Sequence, residues 1–133
     1  MNNNAKQFLI TICVLFVSSC SLISGDVGEL AGQVTIGPLQ PVHREGEIEP
    51  TPSPDVYAAW QIVVYSKDMQ REIARTDINP EGYYQIVLPV SSYAVTAKPV
   101  NNYGGPGGSD VHYVEITKDE VTNLNLDIDT GIR

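Results

Sequence analysis

The feature that most constrains this chain is a period of two near its C-terminus. In residues 122–129 (TNLNLDID), Leu124, Leu126 and Ile128 alternate with Asn123, Asn125, Asp127 and Asp129. Side chains on an extended strand alternate between faces, so this segment reads as one half-exposed antiparallel strand with its aliphatic residues inward. The same pattern recurs upstream. Residues 29–36 place Leu30, Val34 and Ile36 on one face, 83–88 place Tyr84, Ile86 and Leu88, and 93–97 place Tyr93, Val95 and Ala97. Residues 57–66 (YAAWQIVVYS) are more continuously apolar, as a central strand would be, and 71–77 and 111–117 supply two more. Turn residues separate the runs. Asn79-Pro80-Glu81-Gly82 is the strongest, and Pro89 is expected to end its ladder because it has no N–H. No amphipathic helix of useful length stands out. Seven short strands with frequent turn signals predict an all-β fold, a single seven-stranded antiparallel Greek-key β-sandwich.

The N-terminus has a different grammar. Lys6 precedes the apolar run Phe8–Val17, and Val17-Ser18-Ser19 leads into Cys20. A weak positive region, a short apolar stretch and small residues are the layout of a cleaved secretory signal, and the stretch is too short to span a bilayer. Val17-Ser18-Ser19-Cys20 also resembles the lipobox of bacterial lipoproteins. That resemblance implies lipidation of Cys20, cleavage before it, and a lipid-anchored position on the extracytoplasmic side of the cell membrane or outer membrane. Ser21 resembles the residue that sends such proteins to the outer membrane where one exists. The expected organisation is a signal peptide at 1–19, the lipidated Cys20 and a polar tether at 20–28, and the sandwich at 29–133.

Composition narrows the partners. The formal net charge is −8, with 16 acidic residues against 8 basic ones. Lys6 would leave with the signal, making the mature chain one unit more negative. Phosphate backbones and anionic lipid headgroups both call for Lys and Arg clusters, so neither nucleic acid nor electrostatic docking on a membrane is expected. Cys13 would also leave and Cys20 would carry lipid, so no disulfide is expected.

Two loops interrupt the strands. Gly37–Val56 holds five of the nine prolines and the acidic run Glu45-Gly46-Glu47-Ile48-Glu49, and Thr51-Pro52-Ser53-Pro54 favours extended polyproline geometry. Asn101–Asp110 is glycine-rich and contains Tyr103. Long loops in small domains often carry function, so Glu49 and Tyr103 are candidate partner-surface residues.

The assembled pattern resembles the carboxypeptidase regulatory-like domain, a prealbumin-like sandwich related to the B-type repeats of bacterial adhesins. The carrying residues are Gly32-Gln33-Val34-Thr35 at the start, the apolar strand Gln61–Tyr65, Asn79-Pro80-Glu81-Gly82-Tyr83-Tyr84 against a D-x-x-G-x-[FY] turn, and Leu88-Pro89 through Tyr93 against L-P-x-G-x-Y. Ser91-Ser92 stands where that family usually has a glycine. The motifs specify a fold and carry no chemistry of their own.

No catalytic constellation emerges. His43, His112, Asp110, Asp127 and Asp129 lack metal-ligand spacing, so no metal or cofactor is expected. No G-x-S-x-G elbow occurs, and a hydrolase would need His112 or His43 beside Ser109 or a carboxylate. The terminal Thr130-Gly131-Ile132-Arg133 does not match the Y-R-G-S ending of the transthyretin-like hydrolases. The expected function is therefore non-enzymatic: a lipid-anchored cell-envelope or surface module that binds another protein or scaffolds at the membrane. The alternative is a carbohydrate- or cell-wall-binding lipoprotein that uses exposed aromatics such as Trp60 or Tyr103. A coplanar exposed row of Trp60 and the tyrosines would favour that alternative.

Overall fold

The computed structural model describes residues 25–41, 44–101 and 107–132. Eight strands and one short helix are formed among them: β1 (Val27–Gly37), α1 (Pro54–Ala58), β2 (Trp60–Ser66), β3 (Glu72–Asp77), β4 (Tyr83–Pro89), β5 (Ser91–Pro99), β6 (His112–Ile116), β7 (Val121–Asn123) and β8 (Leu126–Asp129). They form two four-stranded sheets. In the first, β1 is central, with β4 on one side and β7 and β8 in succession on the other; the second runs β3-β2-β5-β6.

The alternating residues face each other across the sandwich as the pattern requires. Leu30, Val34, Ile36, Tyr84, Leu88, Leu126 and Ile128 of the first sheet pack against Ile62, Val64, Tyr93, Val95, Ala97 and Ile116 of the second. Full burial of each large aliphatic side chain is worth about 1.5–3 kcal/mol, so this inner layer dominates stability. At both sides, where the sheets meet, a threonine hydroxyl spans the seam. Thr76 of β3 donates to the Gln85 carbonyl of β4 at 3.5 Å, and Thr122 of β7 donates to the Glu115 carbonyl of β6 at 3.3 Å.

Three expectations need correction. The segment 122–129 is two strands, and both pair with β1 in parallel: Glu29–Ala31 with Val121–Asn123, and Val34–Gly37 with Leu126–Asp129. The sandwich is thus eight-stranded and mixed, where seven antiparallel strands were expected. Residues 124 and 125 leave the ladder between the two pairings, and the Asn125 side chain takes over there, its Oδ1 accepting from the Gln33 N–H at 2.9 Å. Secondly, the apolar run 57–66 begins as helix. Pro54 sits in the first helical turn, where its missing N–H is harmless, behind the extended Ser53. Tyr57 is therefore helical and buried, and β2 begins only at Trp60. Finally, β1 starts at Val27, two residues earlier than expected. Pro89 ends the β4 ladder as expected, opposite Val27.

Tight approaches fix the first sheet. Gly32 lies where a Cβ would come within 1.8 Å of the Leu124 carbonyl oxygen, so only glycine lets the 124–125 crossing pass so close to β1. The Asn79–Gly82 turn is also closed locally. Asn79 Oδ1 accepts from the N–H groups of Glu81 and Tyr83, and Gly82 has φ of 86° beneath the Tyr57 ring.

Candidate functional site: the outward faces of the sandwich

Cys20, Tyr103 and His43 lie outside the described residues. Glu49 is exposed, and its carboxylate folds back to accept from the Leu39 N–H at 3.3 Å, beside Gly37. Residues Glu49–Pro52 lie along Gln33–Ile36 of β1, past the point where pairing with β4 ends. Trp60 is half-buried, pairs with Pro99 and packs against the core. The aromatics do not form one row. Tyr57, Tyr84 and Tyr93 are buried, while Tyr83 and Tyr113 are 50% and 64% exposed on different sheets.

Two of the polar groups weighed for catalysis, Ser109 and Asp129, are engaged by the backbone. Ser109 Oγ accepts from the Ala97 N–H at 2.7 Å and lies 3.1 Å from Thr96 Oγ1, extending β5 beyond its pairing with β6. Asp129 Oδ1 accepts from Gly131 N–H in the final turn. His112 pairs with Val95 on β6. Among the described residues, no three His, Cys, Asp or Glu side chains are grouped to hold a metal ion.

What the fold leaves toward solvent is two sheet faces of unlike character. The outward face of the second sheet carries charges that engage one another. Arg75 makes a two-point contact with Glu72, its Nε and Nη2 donating at 2.5 and 2.8 Å, and Nη1 donates to Gln61 Oε1. Gln61 Nε2 in turn donates to Asp77 at 2.7 Å, and Lys98 Nζ donates to the Tyr65 hydroxyl at 2.7 Å. The Arg75 guanidinium beside Glu72 holds that carboxyl below the usual range. Tyr65 and Tyr113 flank the fully buried Ala94 on this face.

The outward face of the first sheet is assembled from rows that register fixes. Tyr83 lies beside Gln33, with Asn125 at the far side of β1, and Gln85, Ala31 and Asn123 form the next row. Tyr84, the inward neighbour of Tyr83, is buried, and its hydroxyl donates to the Leu124 carbonyl at 2.6 Å; burial pushes that hydroxyl far above the usual tyrosine range. The Tyr83 hydroxyl and the side-chain amides of Gln33, Gln85 and Asn123 have no hydrogen-bond partner among the described residues. None of the six side chains in the two rows carries a charge. The face ends at Val87, Glu29 and Val121 on one side and at Thr35 and Asp127 on the other.

Sequence reasoning pointed Asn123 and Asn125 outward but singled out neither Gln33 nor Gln85. The signal for those two was the same alternation: each stands between inward-facing residues of its strand.

The sequence matches no protein-family profile and no curated protein. Among solved structures the chain is similar to GBS52, the minor pilin of the Gram-positive pathogen Streptococcus agalactiae, at 15% identity and a TM-score of 0.51, over 79% of this chain and 45% of that one. It is also similar to a DUF3823 family protein from Parabacteroides merdae, at 18% identity and a TM-score of 0.47, over 78% of this chain and 46% of that one. A third is the TIE protein of Bacillus anthracis, at 13% identity and a TM-score of 0.48, over 77% and 17% of the two chains. The chain therefore spans less than half the length of each. At such identity the likeness to the pilin is one of fold: a two-sheet β-sandwich.

Proposed function

We propose that this chain is a non-enzymatic, lipid-anchored module of the bacterial envelope, in which Cys20 carries the anchor and the sandwich presents a binding surface to a protein or cell-wall polymer. The observation that carries the binding role is the contrast in side-chain use. Ser109, Asp129 and Asn79 serve the backbone, whereas a neutral amide face with an exposed tyrosine is left unengaged. The signal-like 1–19 segment and the lipobox resemblance support the anchor. No helix among the described residues is long and apolar enough to cross a membrane. The minor pilin, itself a protein with a sandwich of this kind, is compatible with a surface role.

The anchor is tested by labelling producing cells with an alkyne fatty acid and isolating the protein. Label on the natural chain and none on Cys20→Ser is the expected result. Equal label on both, or none on either, overturns lipidation at Cys20. The surface role is tested with photo-crosslinkers at Glu49, Tyr103 and Tyr83 in intact cells, where a defined envelope partner is expected from at least one position. No adduct at any of the three overturns it.

A further inference from the structure

We infer that the outward face of the first sheet is a glycan-binding surface, with Tyr83 as the stacking platform and Gln33, Gln85 and Asn123 as the hydrogen-bonding groups. The inference rests on the reading of the chain as a binding module and deepens it to a ligand class: neutral polysaccharide. It does not depend on lipidation.

The chemistry of the face selects that class. A carboxamide offers a carbonyl acceptor and two N–H donors in one plane. Neighbouring sugar hydroxyls, each both donor and acceptor, are matched by such groups without any net charge. Although the chain has a net charge of −8, these two consecutive rows carry no charged side chain. An anionic ligand would find no cation there, and a basic one no carboxylate within the rows. A half-exposed tyrosine ring at the corner offers an apolar plane for the C–H face of a sugar, with a hydroxyl at its rim.

Dimensions agree. Gln85 and Asn123 stand on strands two apart, about 10 Å across the sheet, and Tyr83 lies about 7 Å along β4 from Gln85. That footprint is about the size of a disaccharide. Between Gln85 and Asn123 stands the small, half-buried Ala31, which puts no long side chain between the two amides. The surface is a sheet face rather than an enclosed cleft, which suits a repeat within an extended polymer more than a small free ligand. The backbone that carries the amides is fixed: strand pairing sets the positions of Gln33 and Gln85, and Asn125 bonded to the Gln33 N–H pins the β7–β8 crossing beside them.

The opposite face has an aromatic pair in Tyr65 and Tyr113, but a ligand there would displace contacts the protein already makes, notably Lys98 to Tyr65 and Arg75 to Gln61. Breaking made hydrogen bonds to form new ones gives little net gain.

The test uses the full chain in detergent, titrated with neutral hexasaccharides of β-1,4-linked glucose and of β-1,4-linked N-acetylglucosamine, and incubated with purified peptidoglycan sacculi. Side-chain amide resonances are read by nitrogen-15 NMR. The expected result is saturable binding of at least one probe, with shifts at the side-chain amides of Gln33, Gln85 and Asn123. Tyr83→Ala and Gln85→Ala then each weaken it about tenfold or more, and Tyr113→Ala leaves it unchanged. No binding of any probe at millimolar concentration overturns the inference, as does binding whose shifts map to Tyr65 and Tyr113. If no glycan binds while a crosslinker at Tyr83 captures a defined protein in cells, the glycan assignment fails and the binding-module reading survives. If neither occurs, both fail.

Discussion

The two outward faces of this sandwich obey one alternation rule, and each is polar, but their side chains are used in opposite ways. On the second sheet, Asp77, Gln61, Arg75 and Glu72 form a continuous chain of side-chain hydrogen bonds. On the first sheet, Gln33, Gln85 and Asn123 stand in register with no such partners among the described residues. Side chains already engaged with one another can hold a sheet and have less left for a ligand. An open set of amides contributes little to the fold and retains its whole hydrogen-bonding capacity. Polarity alone does not mark a surface as available; the pairing of its groups does.

The most damaging substitution lies behind the open face. Gly32→Val places a side chain against the Leu124 carbonyl, which a Cβ alone would approach to 1.8 Å. The 124–125 crossing must move away, carrying Asn125 from the Gln33 N–H and spreading the rows. The cost is about 3 kcal/mol or more, a large share of a domain's total stability. Urea unfolding followed by circular dichroism is expected to show the variant losing most of its cooperative transition. A variant as stable as the natural chain would mean that the crossing is not held where it is described.

Next in size is Tyr84→Phe, which removes the hydroxyl that ties the inner layer to the same crossing. Losing the bond to the Leu124 carbonyl costs about 1–2 kcal/mol. The pH dependence has a defined sign. Burial raises the Tyr84 hydroxyl above the ordinary value of 10.0, so its stabilising effect is complete below that pH and is lost as the pH rises through the folded value. Tyr93, whose hydroxyl donates to the Pro89 carbonyl at 2.6 Å, is raised by burial in the same direction. Absorbance titration is expected to show Tyr84 and Tyr93 ionising above the ordinary tyrosine value. Tyr84→Phe removes the Tyr84 step and leaves that of Tyr93.

These predictions turn on features of unequal legibility in the sequence. The inward sets Leu30-Val34-Ile36, Tyr84-Leu88 and Leu126-Ile128 were readable because burial on one face imposes a period of two. The break at residues 124–125 was not, because Leu124 continues the same period and the interruption depends on Gly32 meeting Leu124 and on Gln33 meeting Asn125, 92 residues away. Strand direction is equally silent: alternation looks the same in a parallel and an antiparallel pair. The helical start of 54–58 had a local signal in Ser53-Pro54-Asp55, masked by the apolar run that follows it. The open face lay half in view. Asn123 and Asn125 could be pointed to water from one strand alone, but only the register of β4, β1 and β7 brings Tyr83, Gln33 and Gln85 into adjoining rows with them.

On the closed face the effects are smaller, because its ions are solvated. Arg75→Ala is expected to lower the melting temperature by less than Tyr84→Phe does. The gap to the natural chain should vanish in about 1 M salt, where the screening length falls to about 3 Å. Glu72 sits below its ordinary value of 4.5 chiefly through its hydrogen bond to Arg75. Its contribution is therefore present above that pH and lost as the pH falls through the lowered value. The natural chain should lose this increment in acid and Arg75→Ala should not, a difference that melting curves on either side of pH 4.5 resolve.

The smallest expected change in stability is the one that bears most on the comparison. Gln85→Ala and Asn123→Ala remove exposed amides that bond to nothing described in the protein, so each should leave unfolding free energy within about 0.5 kcal/mol of the natural chain. Alanine in a strand carries a modest β-propensity cost, so Gln85→Thr serves as the matched control, keeping strand preference while removing the amide. If both Gln85 variants unfold with the natural chain, the amide is free of any structural duty and its loss can be read in binding alone. If Gln85→Thr destabilises as much as Tyr84→Phe, the amide belongs to the fold, the first sheet's outward face is closed like the second, and the distinction between them disappears.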